Sequence, residues 1–352
     1  MNDASTDNTQ AILDGYRDSR LIQLRNTQNL GLTRSLNKGL AAAQGKYIAR
    51  HDADDVSVKE RFAAQVAFLN NHPAVGLLGT AYYLVDSQEH ILDTVILPTH
   101  NLELQSRLIK NNILCHGTVM MRHELLQMVG GYRPQFLVTQ DYDLWLRVAE
   151  QSEMATLDTP LYKFRFDEHS ISRQKRGLQL AYRNLARQMA VSRRAGVREP
   201  AFPADVMQAF PPAPTELFQD MRANGYVHYA AGQEKAAAET LSSAQAMPHQ
   251  PAEGVPSWEE WALDVALRLA KLREEEAGGV AFIHWLFAVL SLPDAHRLQQ
   301  RIVGRFYADR AFAAYEDGRA PFPYFRHAIV ADKSWLWNRG LWAISAKFLV
   351  RR

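Results

Sequence analysis

Three carboxylates stand within four positions in His51-Asp52-Ala53-Asp54-Asp55. Packed into one cleft they would repel one another strongly. A divalent cation removes that cost, because carboxylate oxygens are the hard ligands that Mg2+ and Mn2+ take. Such a cation usually also holds phosphate oxygens of a substrate. A solvated acidic turn capping the next helix is the other reading of the same residues. Two more stretches carry acidic side chains near a helix start. In Asn2-Asp3-Ala4-Ser5-Thr6-Asp7-Asn8-Thr9, Asp7 or Ser5 can cap a helix through Ile12 and Leu13. An early Asp beside a strand end, here Asp3, can also accept a hydrogen bond from a nucleobase N–H. In Thr139-Gln140-Asp141-Tyr142-Asp143-Leu144-Trp145-Leu146-Arg147, Leu144, Trp145 and Val148 pack inward at helical spacing. That leaves Asp141 at the first turn, either as a residue stabilised by the helix dipole or as a general base facing a metal across a cleft.

Short apolar runs that alternate with helical patterns must position these residues. Leu21–Leu24 reads as a strand. Leu32, Leu36, Leu40 and Ala43 recur at near-helical spacing, so the sequence predicts a helix over Leu30–Ala43 with that stripe inward and Gly45 ending it. Lys46–His51 reads as a strand that delivers the acidic cluster at its C-terminal end. Val58–Asn70 reads as a helix, Val75–Val85 and Ile91–Leu97 as strands around a turn at Asp86-Ser87, His116–Met121 as a strand and Val138–Ala149 as a helix. The alternation argues for a mostly parallel sheet covered by helices on both faces, with ligands bound beyond the C-terminal strand ends.

From about Leu178 onward the patterns are helical. Pro200, Pro203, Pro211, Pro212 and Pro214 crowd one stretch that reads as a linker. Tyr226–Gly232 followed by Ala236–Ala244 loosely resembles Phe312–Gly318 followed by Phe322–Ala328. A TPR-like helix-hairpin repeat and plain helical packing both fit. Gly278–Leu292 is apolar but shorter than the ~20 residues a spanning helix needs, and reads as a buried helix. The tail from Trp335 to Arg352 combines three Trp with Arg339, Lys347, Arg351 and Arg352. It suits a peripheral contact with a membrane interface, or else a terminal helix docked through its Trp side chains.

Composition narrows the function classes. Of 352 residues, 40 are Lys or Arg and 38 Asp or Glu, a net charge of +2, which speaks against nucleic acid as a partner. Hydrophobic residues make up 47%, enough for packed cores. The one cysteine, Cys115, excludes an internal disulfide and a multi-cysteine zinc site. It fits a reducing, cytoplasmic location. MNDASTDNTQ opens the chain without the apolar region of a signal peptide.

Taken in order, the motifs resemble those of the family 2 glycosyltransferases, inverting enzymes with a GT-A fold. The resemblance covers roughly residues 1–175. It runs through NDASTDNT, Asn29-Leu-Gly-Leu, Leu36-Asn37-Lys-Gly39, Gly45-Lys-Tyr-Ile48 leading into DADD, His116-Gly-Thr-Val-Met, Gly130-Gly-Tyr132, QDYDLWLR, and Tyr162-Lys-Phe-Arg165 followed by Ser170-Ile-Ser172. It implies an α/β, GT-A-like domain over residues 1–177, and the helical patterns beyond it read as a helix and Pro-rich linker over 178–215 and an all-α C-terminal region over 216–352.

The resemblance also implies roles. Asp3 is similar to the carboxylate that contacts the nucleobase, and Asp52 and Asp54 to the DXD pair, near the ribose and on the metal respectively, with Asp55 a substitute for either. Arg34 falls where a basic residue approaches the donor, His116 in the segment flanking donor sugar and acceptor, and Asp141 at the catalytic base. The implied cofactor is Mn2+ or Mg2+. The implied donor is a nucleotide sugar, most commonly of uridine, and the implied acceptor a saccharide or lipid-linked hydroxyl, with the enzyme in the cytoplasm or peripheral at the inner membrane face. A Gln-x-x-Arg-Trp motif and spanning helices are not found, so single addition is expected rather than processive synthesis.

Two departures qualify the resemblance. A metal-associated His would precede the Ser-x-Ser segment, where this sequence has Asp167, and His169 is a further candidate ligand or a surface residue. The family also begins with a strand, a Pro-x-Tyr-Asn-like loop, a helix and a second strand, and Met1 stands where that second strand would end. The resemblance therefore implies either a misassigned start or an incomplete donor site, and keeps an inactive remnant, or a helical scaffold or binding protein, as the alternative to an enzyme.

Overall fold

The structure is a computed structural model and describes residues 1–167, 175–247, 255–272, 276–290 and 295–350. The chain divides into two units, Met1–Pro212 and Ala213–Arg352.

The first unit is built on a six-stranded sheet: β1 (Tyr47–Ala49), β2 (Val56–Ser57), β3 (Val75–Val85), β4 (Ile91–Val95), β5 (Met120–Arg122) and β6 (Glu153–Arg165). The strands lie in the order β1-β5-β3-β6-β2, with β4 also paired to β3. β3 is central, and its residues Val75–Ala81 are buried, as expected of a strand covered on both faces. Its pairing with β6 is parallel, running from Val75 opposite Glu153 to Val85 opposite Arg165. The other pairings are antiparallel, including Ile48 opposite Met121 between β1 and β5 and Val56 opposite Lys163 between β2 and β6. The α/β class holds, but the sheet is mixed rather than mostly parallel. β4 returns alongside β3 after a short turn, and β5, reached through the helix Asn101–Leu108 and a 3-10 turn, also runs in the opposite sense.

Helices α1 (Thr9–Asp14), α2 (Leu32–Ala42), α3 (Arg61–Asn71), α4 (Asn101–Leu108), α5 (His123–Met128), α6 (Gln140–Ala149), α7 (Arg176–Arg194) and α8 (Val206–Ala209) complete the unit. Its core joins Leu77 and Met121 of the sheet to Tyr142, Trp145 and Leu146 of α6 and to Ala181, Leu185 and Met189 of α7. The helix after residue 177 thus packs into this core. Arg133 grips Glu199 through two bonds of 2.9 Å, and Arg193 reaches both Glu150 and Glu199 at 2.7 Å, tying the following segment down.

Three local expectations change. Leu21–Leu24 is no strand: a single parallel bridge joins Asn2 to Arg25, and Leu21 and Ile22 are exposed, because no neighbouring strand covers them. α2 does not bury its leucine stripe whole. Leu32 is exposed, Leu36 and Leu40 are half-buried, and the buried positions are Thr33 and Ser35. Hydrogen bonds dock this face: Thr33 donates to the Phe136 carbonyl at 2.7 Å, and Ser35 accepts from Asn26 at 2.8 Å. His116–Thr118 forms a 3-10 turn before β5 begins at Met120.

The second unit is helical: α9 (Pro214–Ala230), α10 (Glu234–Ala246), α11 (Trp258–Leu272), α12 (Glu276–Val289), α13 (Ala295–Glu316), α14 (Phe322–Ala331) and α15 (Arg339–Val350). The two loosely similar sequence segments each join two helices through a glycine turn. In each, the first helix ends on a glycine of positive φ, Gly232 at 74° and Gly318 at 71°, where the lack of a side chain admits the left-handed turn. The next N–H closes back onto the helix, Gln233 to the His228 carbonyl at 2.9 Å and Arg319 to that of Ala314 at 2.7 Å. The apolar segment at 278–292 contributes the core residues Phe282, Ile283 and Leu286 on α12. Among the described residues no helix is long and apolar enough to cross a membrane.

Candidate active site

β1 ends at Ala49, and after Arg50 the acidic cluster forms the loop that follows. Asp55 is the buried member. Its Oδ2 accepts the Tyr162 hydroxyl hydrogen at 2.8 Å and its Oδ1 the Arg165 N–H at 2.8 Å. The Tyr162 oxygen in turn accepts the Asp52 N–H at 3.1 Å. One tyrosine of β6 therefore staples the loop at two points. Burial pushes the Asp55 carboxyl up to about 6, against the opposing bonds from Arg165 and Tyr162. Asp55 is committed to these partners, so it does not substitute for its neighbours. Asp52 is half-buried and ion-paired with Arg50, whereas the Asp54 side chain is exposed. Burial raises the pKa of Asp52, with Arg50 acting in the opposite direction.

Behind the loop, Arg61 is fully buried. It donates to the Gly117 carbonyl and, at 2.8 Å, to that of Arg50, and its guanidinium lies 4.9 Å from the centre of the Tyr162 ring. It binds the end of β1 to the turn carrying His116. Gly117 is needed there: a Cβ would lie 2.1 Å from the Tyr162 oxygen.

That turn and α6 supply the second group of residues. The Nε2 atom of His116 is 2.8 Å from the Tyr132 hydroxyl, and its ring meets those of Tyr132 and Trp145 edge-on at 5.7 Å. Burial, assisted by the Arg50 charge, pushes His116 down to about 3, so its ring is neutral at physiological pH. Asp141 stands at the first turn of α6, and its Oδ2 accepts from Asn112 Nδ2 at 3.0 Å. Burial raises its pKa, the Asn112 bond lowers it, and the negative charge of Asp52 raises it further. Tyr132 feels the charges of Arg50, Asp141 and Asp52. Arg50, Asp52, His116, Tyr132 and Asp141 thus form one electrostatic neighbourhood. Two buried polar atoms beside it, Asn112 Oδ1 and Trp145 Nε1, have no hydrogen-bond partner among the described residues.

Asp3 makes its contacts with the 26–31 loop rather than with either of these carboxylates. It accepts from Asn26 at 2.7 Å, from the Leu30 N–H at 2.8 Å and from the Gly31 N–H at 2.9 Å. Burial raises its pKa, but these bonds outweigh it and hold the carboxyl below its ordinary value. α2 starts from this loop and connects it to the other residues. Asn37 donates to the Tyr132 carbonyl at 2.7 Å and accepts the Tyr132 N–H at 3.0 Å. Arg34 stands exposed on the same helix. His169 lies outside the described residues.

Sequence reasoning missed Arg50, Arg61, Asn112, Tyr132 and Tyr162 as working parts. Arg50 had a signal, a cation two positions before Asp52. The others act across long chain separations that spacing does not reveal. Among the described residues no group of three or more His, Cys, Asp or Glu could hold a metal. The donor set suits a cation that arrives with phosphate oxygens: Asp54 offers an exposed carboxylate, and Asp52 a second one held by Arg50. A groove of about 680 Å3 between α3 and β6, lined by residues such as Phe68, Leu157 and Leu161, contains none of the candidate residues.

Comparison with known proteins addresses the family. The family model described as Glycosyl transferase family 2 matches residues 1–130. TuaG of Bacillus subtilis (strain 168), named as a teichuronic acid biosynthesis glycosyltransferase, is 30% identical over 178 residues, which are 50% of this chain and 69% of TuaG. The chain belongs to glycosyl transferase family 2. EpsE of the same organism, named as a glycosyltransferase, is 36% identical over 178 residues, 49% of this chain and 63% of EpsE. WfaP of Escherichia coli, named UDP-Glc:alpha-D-GlcNAc-diphosphoundecaprenol beta-1,3-glucosyltransferase, is 26% identical over 198 residues, 56% of this chain and 73% of WfaP. Of EpsE and two further curated relatives, this family 2 chain spans 63%, 59% and 55% of their length. Asp52 and Asp54 fall within the span of the family model, and Asp141 lies beyond it.

Proposed function

We propose that the first unit transfers a sugar from a nucleoside-diphosphate sugar to an acceptor hydroxyl, with inversion at the anomeric carbon and Asp141 as general base. The observation that carries this reading is the placement of Asp141 at the first turn of α6, where Asn112 holds its carboxylate at 3.0 Å and burial, with a smaller effect of the Asp52 charge, raises its pKa. A carboxylate whose proton affinity is raised by burial and by a neighbouring negative charge is suited to take a proton. Asp52 lies on the loop that family membership associates with the donor, so acceptor and donor would meet between the two.

In the proposed reaction Asp141 accepts the hydroxyl proton as the acceptor oxygen bonds to the anomeric carbon. The bond from that carbon to the donor phosphate breaks on the opposite face, and its electron pair leaves with the nucleoside diphosphate. Asn112 holds Asp141 in place. Neutral His116, hydrogen-bonded to Tyr132, would line the side of the site facing sugar and acceptor. Asp54 and Asp52 would hold Mn2+ or Mg2+. The cation, when bound, neutralises charge on the departing diphosphate. Arg34 would approach the donor phosphates from α2, and Asp3 would meet the nucleobase while fixing the loop before α2. WfaP, named for a UDP-Glc donor and a diphosphoundecaprenol-linked acceptor, supports a UDP-sugar donor and a lipid-linked acceptor in polysaccharide or glycolipid synthesis. A nucleotide-sugar donor and a lone cysteine suit work in the cytoplasm.

The experiment is Asp141→Asn, assayed against a panel of nucleotide sugars for donor binding by thermal shift and for transfer. Loss of transfer with retained donor binding is expected. Unchanged turnover would remove Asp141 from the mechanism.

A further inference from the structure

The second unit carries an aromatic and basic face that the proposed transfer does not use. On α15 the buried positions are Leu341, Ile344, Ser345 and Phe348. The opposite stripe is Arg339, Trp342, Ala343, Ala346 and Lys347, all exposed and at helical spacing. A helix packed on a core usually turns polar and acidic side chains outward, but here the outer face presents an indole and two alanines between two cations. Just before α15, Leu336 and Trp337 extend the apolar part. Trp337 is 86% exposed, Trp342 53% and Leu336 41%. The three are contiguous, because the Trp342 indole N–H donates to the Leu336 carbonyl at 2.8 Å. The Trp342 ring is held from beneath by Phe325, edge-on at 4.7 Å, so its orientation is fixed. From residue 320 to 347 the basic residues Arg326, Lys333, Arg339 and Lys347 stand against one acid, Asp332. All four are exposed, and none forms an ion pair among the described residues.

We propose that this face, Trp337 and Trp342 flanked by Arg339 and Lys347, docks the protein on an anionic lipid bilayer. Indole rings prefer the headgroup region, where the ring is desolvated and the N–H stays polar. Exposed Lys and Arg gain from the negative surface potential, each by roughly five-fold in partition. Two to three large apolar side chains give only modest binding alone, so the aromatic and electrostatic contributions act together. A surface-bound enzyme meets a lipid-linked acceptor in two dimensions rather than three. The docking therefore deepens the reading of a lipid-linked acceptor, although the lipid contact itself needs neither donor nor acceptor.

The test uses the full chain with vesicles of phosphatidylcholine alone and of phosphatidylcholine with phosphatidylglycerol, read by co-sedimentation and by tryptophan emission. Binding to the anionic vesicles with a blue shift is expected, with weak binding to the neutral ones. Arg339→Glu with Lys347→Glu should remove the anionic preference, and Trp337→Ser should weaken binding several-fold. Trp337→Ser changes a side chain that is 86% exposed and so reads docking rather than folding. Absence of co-sedimentation with anionic vesicles overturns the proposal, as does full binding by Trp337→Ser. A concentration-dependent dimer that shifts the emission without lipid would also overturn it, since a second copy would then cover the face. Because no sugar nucleotide is present, failure here leaves the transfer reading standing, and failure of Asp141→Asn leaves this one standing.

Discussion

The Tyr162 hydroxyl donates to Asp55 at 2.8 Å, and this bond sets the shape of the loop that carries Asp52 and Asp54. Because the same oxygen receives the Asp52 N–H, Tyr162 fixes two points of the loop from a strand more than a hundred residues further along the chain. Tyr162→Phe deletes both bonds and leaves a buried carboxylate short of one donor. A loss of about 1–3 kcal/mol in folding stability is expected, the cost of an unmet buried polar group. Donor affinity should fall with it. Denaturant unfolding and donor titration of the variant measure the two effects.

Gly117→Ala probes the same joint from the other side. The added methyl would press on the Tyr162 oxygen and ring. Overpacking of this kind costs about 1–3 kcal/mol. Since Gly117 and Tyr162 are in contact, the double variant Gly117→Ala with Tyr162→Phe should lose less stability than the sum of the single variants. Additive losses would mean that the two residues act separately.

The elevated carboxyls give two pH signatures of opposite use. Asp55 is raised in the folded protein, so between about pH 4 and 6 the native state holds a proton that the unfolded chain releases. Its contribution to stability is therefore present at the lower end of that window and is lost as pH rises through it. Asp55→Asn should flatten this part of the stability profile, as followed by thermal unfolding across the window. If Asp141 is the base proposed above, transfer should fall as pH drops through its raised pKa, because the protonated acid no longer accepts the acceptor's proton.

Asp54→Ala should abolish the response of donor binding to Mn2+, and chelation of the cation should bring the unaltered protein to the same level. Asp52→Ala should also free Arg50, whose guanidinium pairs with it. Donor binding that still rises with Mn2+ in Asp54→Ala, followed calorimetrically, would place the cation elsewhere.

Much of the scaffold was legible in the sequence. Val75–Val85 matches its strand end to end, because a run of apolar, largely β-favouring residues between a Pro and an Asp has one ready interpretation. The helix bearing Asp141 was legible from the spacing of Leu144, Trp145 and Val148. Leu21–Leu24 misled, since a strand needs a partner as well as a pattern. The ordered motifs made Asp52 and Asp141 legible as candidates. The supports, Arg61 donating to Gly117 and Asn37 clasping Tyr132, were not, because they are single contacts across long chain separations. The buried face of α2 was misread for a related reason: its docking is polar, and hydrophobic periodicity is blind to hydrogen bonds.

The parallel pairing of Val75 with Glu153 has a consequence for biogenesis. While a ribosome is still decoding the residues between them, the middle strand of the sheet has no mate on that side and keeps an open edge. Closure of so long a loop is slow, whereas the hairpins turned at Gly232 and Gly318 join chain neighbours and need no such wait. During synthesis the N-terminal half is therefore the part in most need of a chaperone until Arg165 has emerged.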